Sequence, residues 1–160
     1  MAHSGTTLFL AALTLAGAIA SSAVTLGGVV SSDRGGVPLP SVSLPPGCVR
    51  PSDGFLIVMT EYGYNDSVLE GAGPSKAWPV ITVEQGATVN ITVCNADKTQ
   101  AHGFQVADYF STPIETVVPG EVLHVSFVAS RVGTFQIYCA IFCTIHLFME
   151  YGQLRVVGSQ

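Results

Sequence analysis

Between Tyr138 and Met149 the chain reads Tyr138-Cys139-Ala-Ile-Phe-Cys143-Thr-Ile-His146-Leu-Phe-Met149. This run limits what the rest of the molecule can be. Two thiols, an imidazole and a thioether so close together meet at one point only if the loop that bears them is gripped at both ends by a rigid scaffold. Soft thiolate and thioether ligands combined with imidazole select copper, zinc or iron–sulfur. Structural zinc sites take Cys, His and carboxylate, so the methionine weighs against zinc. Copper cycling between its two oxidation states suits the mixture, and the chemistry implied is electron transfer.

The scaffold is written as strands. Phe55–Tyr62 is rich in branched and aromatic residues, and Thr88–Cys94 alternates with Val89, Ile91 and Val93 on one face. Further strands are predicted over Val122–Val128, Gly133–Cys139 and Gly152–Val157, separated by the turn signals Glu84-Gln-Gly86, Pro119-Gly120 and Arg131-Val-Gly133. Short strands spaced by turns, with no amphipathic helix and no repeat, predict an all-β domain over 55–160, an antiparallel β-sandwich. Alternation in Gly133–Cys139 puts Phe135, Ile137 and Cys139 on the inward face. Cys139 thus reaches the inner end of the sandwich, where the loop that follows can curl over a metal.

The 160 residues carry a formal net charge of −5, and only 11% of them are charged. A mean hydropathy of +0.48 is high for a soluble domain. The excess lies in residues 1–32, which hold no Asp, Glu, Lys or Arg. The run from Leu8 to Val30 can span a hydrocarbon core, which needs about 20 residues. It exceeds a typical signal-peptide core of about 7–15 residues and no basic segment precedes it, so 1–32 is predicted to be one N-terminal transmembrane helix. Segment 33–54, with Arg34-Gly-Gly-Val-Pro-Leu-Pro40 and Leu44-Pro-Pro-Gly47, reads as a linker. A single-pass protein of the plasma membrane is expected, with its C-terminal domain on the extracytoplasmic side. The acidic balance makes nucleic acid an unsuitable partner.

Cys48 and Cys94 stand apart from the cluster. In an exterior compartment they could form a disulfide, but sequence spacing does not test this, and two buried free thiols are the other reading. Asn65-Asp-Ser67 and Asn90-Ile-Thr92 are formal glycosylation sequons.

A copper loop of this kind needs a further imidazole from a distant strand. His3 precedes the apolar run, and His124 shares a strand face with Ser126, opposite Leu123, Val125 and Phe127, which marks it as a surface residue. His102 sits where a loop enters a strand, with Gly103 allowing close backbone approach. It is the natural partner of the cluster.

Four motifs in order, Ala101-His102-Gly-Phe-Gln-Val106, Val118-Pro-Gly-Glu121, Gly133-Thr-Phe-Gln-Ile-Tyr-Cys139 and the Cys/Cys/His/Met loop, resemble the soluble domain of subunit II of haem–copper terminal oxidases (cytochrome c oxidase subunit II), particularly the B-type. The resemblance implies a cupredoxin-like Greek-key β-sandwich holding a binuclear CuA centre of two copper ions. Cys139 and Cys143 would be the bridging thiolates, His102 and His146 would each cap one copper, and Met149 and the carbonyl of Ile141 would be the weak ligands. Relatives with Glu at the position of Ile141 also bind magnesium there, which an isoleucine side chain does not support. Electrons would come from an exterior donor, a cytochrome c or a small blue-copper protein, and pass to haem in the partner subunit I. Phe104, Phe142 and Phe148 are read either as an apolar wall around the metal or as ordinary sandwich core.

One departure matters. The family pattern is Cys-x3-Cys-x3-His-x2-Met, whereas only Thr144 and Ile145 separate Cys143 from His146. The shortened segment also resembles the loop of small proteins that hold one copper with two His, one Cys and an axial Met. A membrane-anchored mononuclear blue-copper carrier is therefore the alternative, as is the CuA subunit of a nitric oxide reductase.

Overall fold

The computed structural model describes residues 42–158. The predicted anchor over 1–32, and the first part of the 33–54 linker, lie outside the described residues. Among the described residues no helix is long and apolar enough to cross a membrane.

Among the described residues ten strands form in chain order: β1 Phe55–Thr60, β2 Gly63–Tyr64, β3 Val80–Glu84, β4 Thr88–Asn95, β5 His102–Gly103, β6 Gln105–Val106, β7 Thr116–Val117, β8 Val122–Val128, β9 Gly133–Tyr138 and β10 Gly152–Val157. They assemble as two four-stranded sheets, β2-β1-β4-β8 and β3-β10-β9-β6, with a separate β5-β7 pair. The chain passes back and forth between the sheets. Their inward residues, among them Ile57, Val93 and Val125 from one sheet and Ile81, Ile137 and Leu154 from the other, share one apolar core. Burying such side chains away from water is the main favourable term for a domain of this size.

All five strands predicted from alternation are present, and β8 and β10 have the predicted bounds. The first ends two residues early, at Thr60. Its hydroxyl accepts the N–H of Tyr62 at 3.0 Å and donates to Asp66 at 2.7 Å, which turns the chain before Tyr62. The inward placement of Phe135, Ile137 and Cys139 holds, as all three are buried. His124 is exposed on β8, with its Nδ1 3.3 Å from the Thr92 hydroxyl.

The sandwich is not wholly antiparallel. β1 pairs with β4 in parallel, and so does β3 with β10. A parallel pair needs a long crossover connection, and inward–outward alternation along a strand is the same for either direction. The sequence pattern therefore did not distinguish them. β3 itself was not predicted.

Cys48 and Cys94 form a disulfide, with Cα atoms 5.7 Å apart. It ties the segment before β1 to the interior of β4, one residue before Asn95.

Candidate metal centre

Strand β9 delivers Cys139 to the inner end of the sandwich, and β10 starts a few residues after Met149. The loop between them is closed by the Cys139 N–H, which donates to the Met149 carbonyl at 3.0 Å. Within it the Cys143 carbonyl accepts the His146 N–H at 3.2 Å, and His146–Phe148 form one turn of 3-10 helix. Thr144 and Ile145 are thus enough to bring His146 back over Cys143. The Ser67 hydroxyl holds the end of this turn by donating to the Phe148 carbonyl at 3.0 Å.

The sulfurs converge. Cys139, Cys143 and His146 each offer a ligand atom within 4.8 Å of the others. The two Sγ atoms are 3.9 Å apart, and Cys143 Sγ lies 3.8 Å from Met149 Sδ. A disulfide would need about 2.05 Å. Cys139 and Cys143 are free thiols, and they and Met149 are buried. Burial first, and the neighbouring Cys139 second, push the Cys143 thiol up to about 12. The Ile141 carbonyl accepts from Cys139 Sγ at 3.2 Å.

His102 is outside that trio and reaches it through its neighbour. The Gly103 N–H donates to Cys139 Sγ at 3.1 Å. A Cβ on Gly103 would stand 2.9 Å from the Ala140 nitrogen and 3.2 Å from that of Ile141, so only glycine allows the β5 backbone to lie so close to the loop. The buried Tyr64 hydroxyl donates to the Gly103 carbonyl. Burial, with the two nearby cysteines adding to it, holds the Tyr64 pKa well above its ordinary value, so the phenol remains a donor.

Both imidazoles are oriented alike. His102 Nε2 is 3.0 Å from Asp97 Oδ2, and His146 Nε2 is 3.0 Å from Glu150 Oε1. An ionised carboxylate can only accept, so a neutral ring keeps its proton on Nε2 and its lone pair on Nδ1. In each ring Nδ1 is buried with no hydrogen-bond partner. A carboxylate on the far nitrogen and a bare near nitrogen is the arrangement of a metal-ligating histidine. Two thiols, a thioether and the His146 imidazole, with the His102 imidazole outside the trio, are donor types that copper takes.

Asp97 does more than hold His102. Its other oxygen, Oδ1, accepts the Thr99 N–H at 2.8 Å, the Thr99 hydroxyl at 2.9 Å and the Gln100 N–H at 3.1 Å. Burial alone would raise this carboxyl, but the bonds from Thr99, His102 and Gln100 outweigh it and its pKa falls below the ordinary value. Neither Asp97 nor Glu150 was singled out from sequence. An Asp two residues before Thr99 suits a side-chain-to-backbone turn, and Glu150 follows His146 by four, so both signals were present.

Phe104 is core, edge-on to Tyr64 at 6.0 Å between ring centroids. Phe142 and Phe148 are neither wall nor core. Phe142 is 95% exposed, and together with Leu147 and Phe148 it leaves apolar surface on the outside of the loop.

No protein-family model matches the chain. Among solved structures it resembles the Cu-containing nitrite reductase (NirK) from Thermus scotoductus SA-01, at 24% identity and TM-score 0.50 over 67% of this chain and 28% of that one. It also resembles a copper nitrite reductase from Nitrosomonas europaea, at 21% identity and TM-score 0.51 over 66% and 41%. The fold is cupredoxin-like. This chain spans less than half the length of either reductase, and at such identities the likeness speaks for the fold alone. A haem–copper terminal oxidase dimer aligns over 78% of this chain and 76% of that one, at 16% identity and a TM-score of 0.47 that is too low to bear on fold or function.

Proposed function

We propose that the chain is a copper electron-transfer domain acting as the electron-entry subunit of a haem–copper terminal oxidase. Its CuA centre would be held by Cys139, Cys143, His102, His146, Met149 and the Ile141 carbonyl. The observation that supports this most is the meeting of two buried thiols 3.9 Å apart, each free to serve a shared ion, with a thioether 3.8 Å from the second. A mononuclear site centred on Cys143 would leave Cys139 unused in the same pocket.

Bound copper would supply the one-electron couple. The chain's own residues do the rest. Asp97 and Glu150 keep each ring proton on Nε2 and leave Nδ1 open. Gly103 N–H stabilises negative charge on the Cys139 sulfur, and Tyr64 keeps the Gly103 peptide in place. Ligands fixed in this way move little when charge arrives or leaves, so transfer proceeds at low driving force. The exterior donor would be a cytochrome c or a small blue-copper protein, and the acceptor haem in subunit I. The Cys48–Cys94 disulfide suits an oxidising exterior compartment, and the apolar segment over 1–32 would be the membrane anchor.

The short Cys143–His146 segment favours a second reading, a mononuclear carrier. Electron paramagnetic resonance of the copper-loaded full chain separates the two. Two coppers per chain, with one unpaired electron shared by both nuclei, support the binuclear centre. One copper, with the electron on a single nucleus, would sink it. Cys143→Ser should abolish the shared-electron signal together with electron uptake from the exterior donor, and retention of both would refute the assignment. An oxidase and a nitric oxide reductase differ in the partner subunit's metals, so copurification of that subunit followed by metal analysis separates those.

A further inference from the structure

The segment from Asn95 to His102 is held as one piece. Asn95 Nδ2 donates to the Gln100 carbonyl at 2.9 Å and to the Val117 carbonyl at 2.8 Å. Asp97 takes the Gln100 N–H from the other side and His102 Nε2 with its second oxygen. The Gln100 backbone is therefore fixed relative to the His102 ring, and its side chain points away from the sandwich onto the ligand loop. Gln100 Oε1 accepts the Thr144 N–H at 3.1 Å, while Nε2 donates to the Thr144 hydroxyl at 3.0 Å. Thr144 follows Cys143 directly and belongs to the segment that is one residue short. Nothing else among the described residues bonds its N–H or hydroxyl.

We infer that Gln100 is a positioning residue for the shortened ligand loop: it clamps Thr144 from the His102 side, so that the Cys143 sulfur stays turned inward toward Cys139 and the two histidine-bearing segments are held in one register. In purpose this rests on the electron-transfer reading, but the clamp is a property of the metal-free chain. A side-chain amide fits the task because it presents an acceptor and a donor together, matching the N–H and hydroxyl of a single threonine. Released from it, Thr144 and Cys143 would swing outward as the loop frays. Cys143, now buried, would meet solvent.

Iodoacetamide alkylation of the metal-free full chain, with the Cys48–Cys94 disulfide left intact, reads this directly. Gln100→Ala should speed alkylation of Cys143 about five- to tenfold, the size expected from losing a pair of exposed hydrogen bonds that hold a loop shut. Thr144→Val keeps the N–H and loses the hydroxyl, so the rise should be smaller. Gln100→Glu keeps the acceptor for the Thr144 N–H and should restore most of the protection. In the double variant Gln100→Ala with Thr144→Val, alkylation should be no faster than in Gln100→Ala alone, because both changes break the same contact. Wild-type alkylation in Gln100→Ala, or fully multiplicative effects in the double variant, would overturn the clamp. Should Gln100→Ala fold poorly, as judged by its thermal midpoint, Thr144→Val and Gln100→Glu still decide the matter. Copper titration of the wild-type chain is read separately: a chain that binds no copper defeats the electron-transfer reading and leaves the alkylation result standing.

Discussion

His102 and His146 have the same local chemistry in different surroundings. Each gives Nε2 to a carboxylate at 3.0 Å and keeps Nδ1 bare. Yet the His102–Asp97 pair is sealed inside the domain, whereas both partners of His146–Glu150 are about one-third exposed. Asp97 is also bonded to Thr99 and Gln100 and lies two residues after Asn95, itself next to the disulfided Cys94. The Glu150 carbonyl accepts Gln136 Nε2 at 2.7 Å, but among the described residues its carboxylate has no partner besides His146. One histidine is thus mounted on the body of the sandwich and the other on a turn that water and salt can reach, although their hydrogen bonds look equivalent.

The disulfide offers the harshest test of that contrast. Replacing Cys48 and Cys94 by Ser opens a loop spanning 46 residues, which on the chain-entropy account costs about 4 kcal/mol. Thermal unfolding measures the loss. Amide exchange should then rise at Gln100 and Gly103 before it rises at Met149, and equal loosening of both sides would show that the disulfide does not favour the His102 side.

Asp97→Asn comes next. Removing the charge that fixes the His102 proton should weaken copper binding about 10- to 100-fold, measured by competition with a chelator. Glu150→Gln in the same assay should cost less than about threefold, and that small loss should shrink further at high salt, because a carboxylate open to solvent is screened and contributes little. Equal losses from the two variants would erase the distinction drawn here.

Proton linkage at Cys143 gives an intermediate effect with a clear sign. In the folded metal-free chain the thiol keeps its proton to about 12, above its ordinary 9.0. Between those values the unfolded chain binds fewer protons, so this contribution to stability is intact below pH 9 and declines as the pH rises toward 12. Denaturant midpoints at pH 8 and pH 10 should show the decline, and Cys143→Ser should reduce it. Copper binding would run the other way, since the ligand would be the thiolate, and affinity should increase with pH.

Much of this was legible in the chain. The ligand loop is contiguous, so its donors can be read off as a list, and alternating strands announce which side chains face inward. Gly103 marks a close approach beside His102, and a Cβ added there would stand only 2.9 Å from the Ala140 nitrogen. Other features depend on meetings between distant segments. The parallel pairings of β1 with β4 and β3 with β10 leave no mark on alternation. Asp97 and Gln100 look like ordinary polar residues of a turn until the fold brings His102 and Thr144 to them. The sequon at Asn65 shows the reverse case: its side-chain oxygen accepts the Val58 N–H at 2.9 Å and its carbonyl accepts the Trp78 indole N–H at 2.9 Å, so the residue is committed to holding β1 and the following turn together.

The parallel pairing of β3 with β10 also sets an order of events during biosynthesis. β10 is the last of the described strands in chain order, and the β3-β10-β9-β6 sheet lacks a middle member until it arrives. Contacts between such distant parts of a chain form slowly and late. The His102 segment precedes the thiols in the chain, and the thiols gain their backing only when β10 slots between β3 and β9. An ion held between these thiols would therefore be enclosed only once β10 has docked.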